Sequence, residues 1–112
     1  MDRKYAIPVN NGLLDEHFGH CRQFVLIEVE DGKVSREEVI DAPPHQPGLL
    51  PPFLAEKGVT DVITGGIGQR AIQIFNQYNV NVFCGAPKKY AKELVEGHLN
   101  GTIQFSDNYC DH

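Results

Sequence analysis

Apolar and polar positions along this chain alternate between two periods, and the changes of period mark out its elements. Tyr5-Ala6-Ile7-Pro8-Val9 is a short apolar run with Pro8 near its end, where one missing ladder donor is tolerable, and it reads as a first strand. Phe24-Val25-Leu26-Ile27-Glu28-Val29 and residues 34–40 are β-prone runs flanking Asp31-Gly32. An Asp-Gly pair between such runs is a strong hairpin signal, because both central residues of the tight turn need positive φ. The two runs are expected as antiparallel neighbours. Asp61-Val62-Ile63-Thr64 and Val80-Asn81-Val82-Phe83 are shorter strands further on. Between and after them the period lengthens. Ile67, Ala71, Ile74, Phe75 and Tyr78 fall on one helical face, and Ala91, Leu94, Val95, His98 and Leu99 repeat the pattern after Pro87, which is expected to open that helix.

The segments between these elements are punctuated. Residues 10–21 read as a loop. Five of the seven prolines lie between residues 42 and 52, making a stiff connector, although Pro51 and Pro52 suit the first turn of a helix over about 49–57 closed by Gly58. Residues 103–112 read as a tail too short for another packed element. The order of three strands, then helix, strand, helix, strand and helix argues an α/β fold, a mixed sheet with helices on both faces. At 112 residues the chain, 1–112, is expected to be one domain burying roughly two-thirds of its unfolded surface.

Chain direction brings the loops together. Right-handed crossovers make the strands ending at Thr64 and Phe83 parallel to the first, so residues 10–21, 41–48, 65–68 and 84–87 should emerge at one edge. Ligands of open α/β sheets sit outside the carboxyl ends of the strands, where strand order reverses. The chemistry in those loops is dense. Asp15-Glu16-His17-Phe18-Gly19-His20-Cys21 offers imidazole and thiol donors that suit zinc, copper or iron-sulfur centres, although the spacing is not that of a zinc finger. Phe18 reads as a core plug. His45 is held among prolines facing the same crevice. Gly65, Gly66 and Gly68 precede a helix and could cradle an anion on its first amides, with Arg70 adding charge. Cys110 and His112 form a terminal Cys-x-His pair apt for metal, whereas Cys84 reads as a core thiol ending a strand. No Ser/His/Asp arrangement and no acidic trio calls for catalysis.

Composition narrows the partners. The net charge of −5 and the scatter of the basic residues, apart from Lys88, Lys89 and Lys92, leave no footprint for nucleic acid. No apolar run approaches the length that spans a bilayer, and the amino terminus carries no signal-peptide pattern, so no membrane association and a cytoplasmic location are expected. Three widely spaced cysteines in such a chain favour free thiols or metal ligands over a disulfide framework.

Four motifs in order carry a resemblance: residues 15–24 just described, the Pro44-His45 loop, Leu50-Pro51-Pro52-Phe53-Leu54-Ala55-Glu56-Lys57-Gly58, and Gly65-Gly66-Ile67-Gly68-Gln69-Arg70-Ala71. Over about residues 5–99 the chain resembles the dinitrogenase iron-molybdenum cofactor biosynthesis family, of the NifX and NifB carboxy-terminal type. The resemblance implies a three-layer ribonuclease H-like fold with a five-stranded mixed sheet in the order 3-2-1-4-5, strand 2 antiparallel. It also implies a soluble protein that binds or carries an iron-sulfur-based metallocluster, such as the nitrogenase cofactor or its precursor, without catalysis of its own. Metallocluster donor and acceptor proteins are then its partners. His17 takes the place of the family's histidine in His-Phe-Gly, the cluster contact. His45 matches the proline-rich loop position, and residues 65–70 the turn. Cys21 stands where carrier members tend to have a small residue such as alanine, and the terminal Cys-x-His is an addition. Zinc suits the same donors as iron. The alternatives are a metal-dependent hydrolase or nuclease, by fold analogy, and a regulatory module binding a phosphorylated ligand at residues 65–70.

Overall fold

β1 (Arg3–Asn10) is the strand around which the rest assembles, and its alternation sets the two cores. The computed structural model describes residues 2–15, 18, 21–43 and 49–103. After β1 come β2 (Leu13–Leu14), β3 (Gln23–Glu30), β4 (Lys33–Asp41), α1 (Leu50–Glu56), β5 (Asp61–Ile63), α2 (Gln69–Gln77), β6 (Asn81–Phe83) and α3 (Ala91–Asn100). The sheet runs β4-β3-β1-β5-β6, with β2 paired to β1. β3 is antiparallel to both β1 and β4, while β1, β5 and β6 are mutually parallel. The mixed α/β architecture with helices on both faces is therefore present, but the described sheet has six strands and not five.

The additional strand lies inside the segment expected as a loop. Asn11 and Gly12, at φ 54° and 87°, fold the chain back so that Val9 pairs with Leu14 and Asn10 with Leu13. Asn-Gly is as good a two-residue turn as Asp-Gly, since asparagine tolerates the left-handed region and glycine is indifferent to it. Asp31 and Gly32, at φ 52° and 76°, make the expected turn between β3 and β4.

Tyr5, Ile7 and Val9 look to one face with Val25, Ile27 and Val29, and α3 covers them with Ala91, Leu94 and Val95. Ala6, Phe24, Leu26 and Val62 look to the other, under Leu54 of α1 and Phe75 of α2. Each large side chain so buried contributes about 1.5–3 kcal/mol by transfer from water, which is why strand-period alternation suffices to specify both layers.

Two helix boundaries differ from expectation. Tyr78 does not continue the apolar stripe of α2: it follows the last helical residue, and its side chain is 48% exposed. α3 starts at Ala91 and leaves Pro87 in the loop. The backbone just before it is already used, because Leu14 N–H donates to the Lys89 carbonyl at 3.0 Å and Tyr90 bridges to Leu13. The Glu93 carboxylate then accepts the Tyr90 N–H at 3.4 Å, holding the first turn. No described helix is long and apolar enough to cross a membrane.

Candidate functional site

At the carboxyl ends of β1, β5 and β6 the loops are joined through the backbone. Phe18 N–H donates to the Gly66 carbonyl at 3.2 Å, Gly85 N–H to Gly65 at 2.9 Å and Ala86 N–H to Thr64 at 3.2 Å. The Thr64 hydroxyl donates to the same Gly66 carbonyl at 3.2 Å. Asp15 N–H returns to the Pro8 carbonyl at 2.9 Å, so the segment after β2 is pinned to β1 at one end and to the Gly65-Gly66 turn at the other. Phe18 secures it from below. Its ring is buried, with the Phe24 and Phe75 rings both 5.5 Å away, which is the plug role expected of it.

Of the residues anticipated at this edge, Cys21, Gly65, Gly66, Gly68 and Arg70 are described. Cys21 is a half-buried free thiol. Burial, and secondarily the charge of Asp15, push its pKa up to about 12, so it stands as a neutral thiol at physiological pH. Gly68 is the N-cap of α2 and supplies no side-chain cap, and Arg70 lies exposed in the first turn. A helix start of this kind presents amide N–H groups and a partial positive charge to an anion. His17, His20, His45, Cys110 and His112 lie outside the described residues. Among the described residues no three His, Cys, Asp or Glu side chains group as a metal site. Cys84 is buried at the end of β6, as expected, but it is disulfide-bonded and not a free thiol.

The opposite edge carries a second arrangement. A cavity of about 610 Å³ opens at the amino ends of β1, β5 and β6, lined by Arg3, Asp61, Asn81, Phe83, His98 and Leu99 among others. Arg3 Nη1 donates to Tyr5 Oη at 3.1 Å, and that hydroxyl shares a 2.8 Å hydrogen bond with His98 Nδ1. Asp61, only 2% exposed, accepts from Thr60 Oγ1 at 2.7 Å and from Asn81 Nδ2 at 3.0 Å. The His98 ring lies 4.4 Å from that of Phe83. Burial first, and then the Arg3 charge, lower the His98 pKa.

Comparison with known proteins decides the family. The family described as dinitrogenase iron-molybdenum cofactor matches residues 1–101 of the chain. The chain belongs to that family. An uncharacterized protein of Methanocaldococcus jannaschii is 33% identical over 106 residues, covering 90% of this chain and 89% of its own. The crystal structure of PH0822 superposes with a TM-score of 0.86 at 29% identity, over 95% of this chain and 96% of that one. The apo form of the orange protein from Desulfovibrio gigas shares the fold, with a TM-score of 0.75 at 22% identity over 94% and 93% of the two chains.

For this member of the dinitrogenase iron-molybdenum cofactor family, sequence reasoning located the carboxyl edge and missed the amino edge. A signal was there. Asp61-Val62-Ile63 and Asn81-Val82-Phe83 each place an Asp or Asn ahead of two apolar residues, and Asp61 pairs with Asn81 in the parallel ladder as Tyr5 pairs with Asp61. Polar residues opening two short parallel strands at one level, the first of them buried, mark a polar layer across the sheet.

Proposed function

We propose that this protein binds and carries an iron-sulfur-based metallocluster, of the nitrogenase-cofactor type or a precursor to it, at the carboxyl edge of the sheet. It receives the cluster from a donor protein and passes it to an acceptor in the cytoplasm, without chemistry of its own, on a fold of the ribonuclease H-like kind. The observation that carries the reading is the 3.2 Å bond from Phe18 N–H to the Gly66 carbonyl. It ties Phe18, which His17, His20 and Cys21 flank in sequence, to the Gly65-Gly66-Ile67-Gly68 turn that leads into Arg70, and membership of the family supports the choice of cargo.

The described groups suit a cargo of that chemistry. Metal-sulfide clusters bear negative charge on their sulfurs, which the uncapped start of α2 and the Arg70 guanidinium complement. Cys21 holds its proton until a metal displaces it, so thiolate ligation there would release a proton to solvent. Imidazoles of His17 and His45 supply further donors, with His112 from the tail.

Anaerobic incubation with ferrous iron and sulfide, with and without tetrathiomolybdate, followed by metal and sulfide analysis and visible spectroscopy, tests the reading. Bound metal with sulfide-to-metal charge-transfer absorption is expected, reduced in His17→Ala and Arg70→Ala. A colourless, metal-free protein after reconstitution sinks it.

A further inference from the structure

The amino-edge cavity holds two opposite charges that do not meet. Asp61 is nearly inaccessible and satisfied by neutral donors, the Thr60 hydroxyl and the Asn81 amide. Arg3 stands at the exposed rim, with its Nη1 engaged by the Tyr5 hydroxyl. Among the described residues, ion pairs within 4.0 Å are those of Arg36 with Glu28 and Glu38, so neither Arg3 nor Asp61 touches a counter-charge. Each still lies within the other's field, since the Asp61 charge reaches Arg3, Tyr5 and His98.

A buried carboxylate without a counter-ion is costly, and proteins usually pair it. A carboxylate that already accepts two hydrogen bonds retains lone pairs for more, and a guanidinium has five N–H donors in a fixed fork suited to a carboxylate. Between these two groups lies the cavity, of a volume within the range of roughly 300–1,000 Å³ that small-molecule sites occupy. Its remaining walls include Val29, Phe83 and Leu99, which are apolar.

We propose that the amino-edge cavity is a second ligand site, separate from the loops of the carboxyl edge, which takes a small zwitterion of the α-amino-acid type with an apolar side chain. The ligand's carboxylate lies on the Arg3 guanidinium, its ammonium against Asp61, and its side chain along Val29, Phe83 and Leu99. Tyr5 is the positioning residue: its hydroxyl fixes the Arg3 fork and joins it to His98 on α3. Occupancy would link the start of β1, the start of β5 and the end of α3 through one bound molecule.

Calorimetric titration of the intact protein with L-leucine, isocaproate and isoamylamine tests this, since the last two are leucine without its amine and without its carboxylate. L-leucine should give saturable heat, with both half-molecules bound at least about tenfold more weakly, a difference of about 1.4 kcal/mol. Arg3→Gln, at the exposed rim, and Asp61→Asn, which keeps the side chain's shape, should each weaken leucine binding to a similar degree, whereas Cys21→Ser should leave it unchanged. Absence of saturable heat with leucine, valine and methionine overturns the proposal. So does leucine binding that survives both Arg3→Gln and Asp61→Asn, and so does isoamylamine binding as tightly as leucine. Because metal loading is read at the other edge, failure here leaves the cluster reading standing, and the reverse holds.

Discussion

At the carboxyl edge of β1, β5 and β6 the connections run mainly through backbone groups, Phe18 to Gly66 and Gly85 to Gly65, whereas at the amino edge the backbone bonds from Thr60 to Lys4 and from Asn81 to Thr60 are joined by a chain of side-chain bonds, Arg3 to Tyr5, Tyr5 to His98 and Asn81 to Asp61. A backbone-built edge keeps its shape through many side-chain changes, because the bonds that form it belong to every residue type but proline. It can therefore vary the side chains it presents. A side-chain-built edge depends on residue identity at each position. Removing one partner there leaves a buried group unsatisfied, which costs more than the bond itself was worth.

The contrast can be broken most forcefully at Phe18, a large buried side chain anchoring the backbone-built edge. Phe18→Ala should destabilise the fold by about 3–5 kcal/mol, as for other buried phenylalanines, and should reduce cluster loading in the protein that remains folded. A urea midpoint corresponding to a loss below about 1 kcal/mol would show that the backbone bonds hold the segment without the ring.

Asp61→Ala is the counterpart at the other edge. It deprives Asn81 Nδ2 of its acceptor, leaves the Thr60 hydroxyl with the Lys4 carbonyl at 3.3 Å, and should cost about 1–3 kcal/mol in urea unfolding. Cluster loading should be unaffected in the folded fraction. A neutral outcome would mean that water satisfies the Asn81 amide and that the amino edge is not built by its side chains.

His98 sharpens the contrast through pH. Its folded pKa lies below the unfolded value of about 6.5, from burial first and the Arg3 charge second, partly offset by the Asp61 charge. The unfolded state therefore binds the proton more readily. The His98 contribution to stability is fully present above the unfolded pKa and is lost as pH falls through it toward the folded value. Denaturation midpoints from pH 7.5 downward should fall more steeply in the parent protein than in His98→Asn; parallel curves would contradict the assignment.

The smallest effect is expected at Cys21. With the thiol pKa at about 12, alkylation by iodoacetamide near neutral pH should be slow, and Asp15→Asn should quicken it by removing the second cause of that shift. Stability should change by less than about 0.5 kcal/mol in that variant. An unchanged rate would leave burial as the whole cause.

Much of the fold was legible in local pattern. β-prone runs flanking Asp31-Gly32 marked the β3–β4 hairpin, and period 3.6 marked α2 and α3, with Gly58 closing α1, although Tyr78 and Pro87 fell outside the helices. Even β2 was written in Asn11-Gly12, although the density of ligand types around it invited a reading as loop. The gathering of loops at the carboxyl edge followed from strand direction, which crossover handedness dictates. His17, His20 and His45 were legible as ligand types, and their chemistry follows from residue identity alone.

What the sequence by itself determined is thus the set of elements, the direction of the strands and the edge at which the loops gather, because turn chemistry, periodicity and handedness are local properties. The amino-edge cluster was decided by tertiary structure. Arg3, Asp61, Asn81 and His98 belong to β1, β5, β6 and α3, and they meet through the parallel register that sets Tyr5 against Asp61 and Asp61 against Asn81. Register between strands joined by a helical crossover is chosen by the packing of α1, α2 and α3 on the two faces of the sheet. No run of neighbouring residues encodes that choice, so the two opposite charges flanking the cavity were visible only once the layers had closed around it.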